Sequence, residues 1–171
     1  MHWKKEFASA REATLYGAFC ALIFFGGLSS SVHSQADRRA DSETLPTSHL
    51  VQPSDLAREL ASASTDSRLT IVYVGFRALF AGGHIPGATY HGSASTPQGL
   101  AEIKKWDASL PRTTNLVIYC GCCPFERCPN IRPAFALFRD LGFTHVRVLE
   151  LRTSFAADWA DKGYPVEKGL N

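Results

Sequence analysis

The sequence predicts an α/β domain in which helices cover both faces of a mainly parallel sheet. One observation is that its apolar, β-branched segments lack the polar alternation of half-exposed strands, which is typical of strands buried on both faces. Another is that helical patterns separate these segments along the chain. A third is the composition of the 171 residues, 45% hydrophobic and 20% charged, which is typical of one folded domain.

The first half of the domain contains a predicted helix, a strand and a second helix. Ser54 can cap a helix over residues 54–60, whose leucines lie on one face. The β-branched run at residues 69–74 predicts a buried strand. Thr96 followed by Pro97 indicates the start of a helix that extends to about residue 109.

The second half continues the alternation. Residues 116–119 predict another buried strand. Pro133 can open a helix that ends at Gly142, the usual position of a left-handed glycine. A strand is expected at residues 145–149, and a last helix at residues 154–161.

The N-terminus indicates export. A mildly basic start precedes an apolar run of 14 residues, 15–28, which is short for a membrane span but typical of a secretory signal. We therefore expect a signal peptide over residues 1–35, cleaved after Ser34 or Ala36. A flexible polar linker, 36–48, and a domain at 49–168 follow. The mature protein is expected to be periplasmic or secreted, without stable membrane association.

Charge argues against nucleic acid as a partner. The 18 lysines and arginines nearly balance the 16 acidic residues, which leaves a formal charge of only +2. No Lys/Arg-rich run is present, so the electrostatic footprint of a nucleic-acid-binding protein is missing.

Four cysteines cluster immediately after the strand at residues 116–119. Because all four lie within nine residues, pairing among them cannot join distant parts of the fold, and a chemical role is favoured over an architectural one. Reactive groups lie at the carboxyl ends of parallel strands, and Cys120 is at such an end. The four are Cys120, Cys122, Cys123 and Cys128.

Three stretches, in this order, resemble the rhodanese-like family over about residues 50–167. They are Gly-His-Ile-Pro-Gly-Ala at residues 83–88, the strand–Cys–loop–helix unit at 117–143, and the tail at 159–166. The resemblance implies a three-layer domain with a central, mainly parallel five-stranded sheet. It also implies that Cys120 takes sulfane sulfur from an anionic donor such as thiosulfate and passes it to a thiol or thiophilic acceptor. No cofactor is implied.

This role makes physical sense for Cys120. Attack on sulfane sulfur needs a thiolate, whereas a free thiol is mostly protonated at neutral pH. Converging backbone N–H groups in a tight loop, for which Gly121 supplies the geometry, would stabilise the anion. Arg127 and Arg132 could bind an anionic donor, while His84 is expected to be structural.

The chain departs from the family pattern in three places. The pair of glycines that the family carries after the last strand is missing, and residues 152–154 (Arg-Thr-Ser) stand there. The loop from Cys120 to Asn130 is longer than usual and contains prolines, which donate no N–H group. Tyr73 and Gly75 stand where the family usually carries Asp and Arg. Arg77 lies near enough in sequence to replace that arginine.

The other cysteines leave alternatives open. Cys122, Cys123 or Cys128 could resolve or store sulfur, and the Cys-x-x-Cys spacing predicts a reversible Cys120–Cys123 disulfide, with Cys128 as the second choice. A thiol–disulfide protein or a thiolate site for copper or zinc is one alternative. A catalytically silent module that binds a partner is another.

Overall fold

A five-stranded sheet forms the centre of the domain. The computed structural model describes residues 45–62 and 69–170, so the predicted signal peptide and most of the predicted linker lie outside the described residues. The strands are β1 (Leu50–Val51), β2 (Leu69–Tyr73), β3 (Thr89–Tyr90), β4 (Asn115–Tyr119) and β5 (Val146–Leu149). Their order is β1-β5-β4-β2-β3, and every neighbouring pair is parallel. The predicted α/β class is thereby confirmed.

Helices pack on both faces of this sheet. They are α1 (Pro53–Ser62), α2 (Arg77–Gly82), α3 (Pro97–Asp107), α4 (Ile131–Asp140) and α5 (Phe155–Asp158). In the part of the chain that the structure describes, no helix is both long and apolar enough to span a membrane.

Two apolar cores separate the three layers. One face of the sheet, with Val72 and Ile118, packs against buried side chains of α3 and α4 such as Ile103 and Phe138. The other face packs against α1, α2 and the segment around Trp159. Each fully buried aliphatic or aromatic side chain stabilises the fold by about 1.5–3 kcal/mol. This double burial is why the central strands lack polar alternation.

The two longest strands end side by side. Tyr73 of β2 is in register with Tyr119 of β4, and the next backbone bond, from the Val74 N–H to the Tyr119 carbonyl, is 2.9 Å long. The residues that follow both strands therefore leave the sheet at the same edge. Cys120 and Gly75 are brought together in this way.

Helix boundaries differ from the prediction in three places. Helix α1 begins at Pro53 and extends to Ser62, so Ser54 lies in its first turn and is not its cap. Helix α4 begins at Ile131, two residues before Pro133. A proline is tolerated there because the first N–H groups of a helix have no intrahelical partner. Helix α5 ends at Asp158 rather than at residue 161, because Trp159 leaves the helical conformation and its buried indole donates a hydrogen bond to the Pro165 carbonyl (2.8 Å).

A tight turn at residues 93–95 precedes α3 and packs closely against its first turn. The Thr96 side chain accepts a hydrogen bond from the Gly99 N–H (3.0 Å), which confirms the predicted cap. A Cβ atom at Gly99 would lie 2.0 Å from the Ser93 carbonyl oxygen. Only glycine therefore lets α3 approach the turn of residues 93–95 so closely.

Candidate active site

Cys120 follows directly after the central strand β4, as the sequence predicted, and it is buried. Gly121 then turns the chain with a left-handed φ of 72°. Its carbonyl accepts a hydrogen bond from the Phe155 N–H (3.0 Å), and a Cβ atom at this position would lie 2.6 Å from the Phe155 Cβ. Glycine is needed here both for its conformation and for the close packing against α5.

The thiols of the cysteine loop lie close together and are all free. The Sγ of Cys122 is 3.1 Å from that of Cys120 and 3.3 Å from that of Cys123. The sulfurs of Cys120, Cys122 and Cys128 all lie within 4.8 Å of one another. In this arrangement Cys122 contacts both members of the predicted Cys120–Cys123 pair.

Asn130 holds the sulfur atoms in place. It is fully buried, and its amide nitrogen lies 3.5 Å from the Cys120 Sγ and 3.8 Å from the Cys122 Sγ. Its amide oxygen accepts hydrogen bonds from the Ser93 hydroxyl (2.9 Å) and the Ser95 N–H (2.8 Å). Because these two donors fix the oxygen, the NH₂ group must point at the thiols. Sequence reasoning missed this residue.

Negative charge is best stabilised at Cys128. Hydrogen bonds to its sulfur from the Cys120 thiol and from the backbone N–H groups of Asn130 and Ile131 lower the pKa of Cys128 to about 6, although burial opposes the shift. The predicted cradle of backbone N–H groups thus lies mainly around Cys128. Cys120 receives one such bond, from the Cys122 N–H.

Cys120 itself is the proton donor of this pair. Its hydrogen bond to Cys128 and its burial raise the pKa of Cys120 far above that of a free thiol. Burial likewise raises the pKa of Cys123, to about 12. The opposite directions of the two pKa shifts favour a pair whose proton stays on Cys120 and whose negative charge lies on Cys128.

A pocket of about 490 Å³ opens beside Cys120. We call it the apolar pocket, because Leu79, Phe155 and Val166 form much of its wall. Tyr73 and Cys120 also line it, and the lining residue with a charged side chain is Lys168.

The arginines predicted to bind an anion are not part of this pocket. Arg127 is exposed on the loop, and Arg132 forms an ion pair with Glu126 (3.6 Å) and a hydrogen bond to its carbonyl (3.2 Å). Arg77 opens α2 on the surface and does not line the pocket either. Position in the sequence therefore did not determine where these three side chains lie.

The segment at residues 83–88 contacts the end of β4. The Ile85 N–H donates a hydrogen bond to the Tyr119 hydroxyl (3.0 Å). His84 is fully buried, its Nδ1 lies 2.8 Å from the Phe80 carbonyl oxygen, and its ring stacks on Phe80 at 3.8 Å. These contacts are structural, as expected for His84.

The three clustered thiols are also the residues that could hold a metal. Three sulfur ligands so close together suit a soft ion such as Cu(I) or Zn(II). A bound ion would use the thiolates as ligands and leave none free to attack a sulfur donor. Metal binding and sulfur chemistry would thus be alternative states of the same cysteines.

Comparison with known proteins identifies the fold. No protein-family model matches the sequence, and no curated protein matches it. Among solved structures, a protein from Bacillus halodurans aligns with a TM-score of 0.56 and 21% identity, over 79% of this chain and 85% of that one. The rhodanese-like domain of an Anabaena protein aligns with a TM-score of 0.52 and 23% identity, over 70% and 79%.

A thiosulfate sulfurtransferase from Pseudomonas aeruginosa also aligns, with a TM-score of 0.51 and 23% identity, over 70% of this chain and 19% of that longer one. Identities this low show a shared fold. The fold that these alignments show is therefore that of rhodanese-like domains. This chain has the rhodanese fold, with a cysteine cluster at residues 120–128.

Proposed function

We propose that this protein is a sulfurtransferase or persulfide carrier that holds sulfane sulfur on Cys120. The observation that carries the proposal is the position of the Cys120 Sγ, which lines the apolar pocket and lies within 4.8 Å of the sulfurs of Cys122 and Cys128. A fold shared with a thiosulfate sulfurtransferase gives further support.

The proposed reaction begins with a proton transfer. As a donor enters, the Cys120 thiol passes its proton to the Cys128 thiolate. The Cys120 thiolate attacks the outer sulfur of thiosulfate, a new S–S bond forms, and sulfite leaves with the electron pair of the broken bond. Cys120 then carries a persulfide, Cys–S–S⁻.

Delivery restores the starting state. An acceptor thiolate attacks the outer sulfur of the persulfide, takes it, and releases the Cys120 thiolate. That thiolate recovers the proton from Cys128. Cys122, whose Sγ is 3.1 Å away, is best placed to resolve or store the sulfur, while the Cys120–Cys123 disulfide stays a prediction.

Mass spectrometry tests this function. We expect the reduced, metal-free protein to gain one sulfur atom after treatment with thiosulfate or another sulfane donor, and to lose it to an excess of thiol. A protein that gains no sulfur from any donor would contradict the proposal and favour a silent binding module. Metal that co-purifies at one ion per chain, and that blocks sulfur uptake, would favour the thiolate metal site.

We also propose that the protein acts outside the cytoplasm. The apolar run at residues 15–28 and the small residues near position 35 support export. Cell fractionation followed by N-terminal sequencing is expected to find a chain that begins near residues 35–37 in the periplasm or the medium. A full-length chain in the cytosol would contradict export without affecting the sulfur chemistry.

A further inference from the structure

The Tyr73 hydroxyl and the Cys120 sulfur both pack against Gly75. A Cβ atom built on Gly75 would lie 2.6 Å from the Tyr73 oxygen and 2.7 Å from the Cys120 Sγ. These two atoms therefore occupy the space that a side chain at position 75 would need, and glycine lets both pack against its backbone next to each other. Both side chains also line the apolar pocket, so a molecule that enters it meets Tyr73 and Cys120 together.

The Tyr73 hydroxyl has no acceptor for its proton among the described residues. The side chain is only 2% exposed, and burying a hydroxyl without an acceptor is unfavourable. Burial raises the pKa of this hydroxyl, so it stays protonated. A sulfur anion formed on Cys120 would supply the acceptor that the hydroxyl lacks.

The pocket wall argues against a small inorganic dianion as the preferred ligand. Leu79 is 49% exposed and Val166 is 39% exposed, so both present apolar surface to an incoming molecule. Lys168 offers a positive charge, whereas Arg127 and Arg132 lie elsewhere. Thiosulfate would lose hydration here with little electrostatic compensation. An apolar group would instead gain by burial.

We propose that the apolar pocket selects sulfane-sulfur donors that carry an apolar organic group, and that the Tyr73 hydroxyl is a catalytic hydrogen-bond donor to the transferred sulfur. This inference rests on the proposed function. The organic group packs against Leu79 and Phe155, and its sulfane sulfur faces Cys120. Organic persulfides and organic thiosulfonates share this chemistry.

The transfer from a thiosulfonate balances in the same way as that from thiosulfate. The Cys120 thiolate attacks the terminal sulfur of R–SO₂–S⁻, the S–S bond of the donor breaks, and R–SO₂⁻ leaves with the electron pair. The Tyr73 O–H donates its hydrogen bond to the sulfur as it is transferred. The product is again the Cys120 persulfide.

A homologous series of donors tests the substrate class. Methanethiosulfonate and butanethiosulfonate have the same reacting atoms and differ only in apolar length. We expect the second-order rate of sulfur loading to rise by up to about fourfold per added methylene group that is buried, and thiosulfate to react more slowly than butanethiosulfonate. Rates that do not depend on chain length would overturn the inference.

Two leucines provide a matched pair of variants. Leu79 and Leu170 are 49% and 50% exposed, but only Leu79 lines the apolar pocket. Leu79→Ser is expected to flatten the dependence on chain length, whereas Leu170→Ser should leave it unchanged. Equal effects of the two substitutions would overturn the assignment of the pocket.

Tyr73→Phe tests the hydroxyl. We expect the variant to load sulfur about tenfold more slowly from every donor, with the chain-length dependence retained and the melting temperature unchanged or raised. A wild-type rate would overturn the catalytic role of Tyr73. If no donor loads Cys120 in the wild-type protein, the proposed function itself fails. A loading rate that does not depend on the chain length of the donor contradicts only the proposed substrate class.

Discussion

Replacing Cys120 with serine is expected to reduce sulfur uptake by a factor of about 10³ or more. A serine hydroxyl does not ionise near neutral pH and cannot form the S–S bond of a persulfide. The side chain is nearly the same size, so the buried position at the end of β4 tolerates it. Intact-protein mass spectrometry after donor treatment measures the uptake.

A melting curve provides the control for this variant. Cys120→Ser should unfold within a few degrees of the wild-type protein, because little packing volume is lost. If the serine variant gains one sulfur atom to the wild-type extent, the nucleophile is another thiol of the loop, and Cys128 becomes the first candidate.

Replacing Cys128 with serine is expected to shift the pH dependence of uptake. In the wild-type protein the pair carries its negative charge above the Cys128 pKa of about 6. Uptake should therefore be constant above that pH and fall about tenfold for each unit below it, as the charge is lost. In the variant Cys128 can no longer take the Cys120 proton. Burial should then keep Cys120 protonated through neutral pH.

The expected result for Cys128→Ser is an uptake midpoint at pH 8.5 or above, with a loss of about 30-fold or more at pH 7. Rates of loading between pH 5 and pH 10 measure both quantities. Uptake by the Cys128→Ser protein at saturating high pH serves as the control, since the nucleophile is still present. An unchanged midpoint near pH 6 would show that Cys128 does not accept the proton.

The parts of the fold with strong local signals could be predicted from the sequence. Strands β2 and β4 are buried over most of their length and are therefore largely apolar, and α3 begins with a cap followed by proline. Strands β1 and β3 have two residues each. Such short segments have no periodicity, and only pairing with neighbouring strands defines them.

The features of the site that follow from the order of residues along the chain could be predicted. Those that arise only when the cysteine loop folds could not. Cys120 at a strand end follows from the order of residues alone. The charge on Cys128 arises because the loop brings its sulfur to the backbone N–H groups at the start of α4. The role of Asn130 could not be predicted for the same reason, because its hydrogen-bond partners Ser95 and Ser93 lie 35 and 37 residues away in sequence.

The bond between Asn130 and the turn at residues 93–95 limits how this chemistry could be transplanted. Grafting residues 120–130 onto another parallel-sheet scaffold would carry over the thiols but not the donors that orient the Asn130 amide. The position of residues 93–95 depends on the close approach to α3 that Gly99 allows. A functional graft therefore comprises two segments, the cysteine loop and the beginning of α3, which have to be moved together.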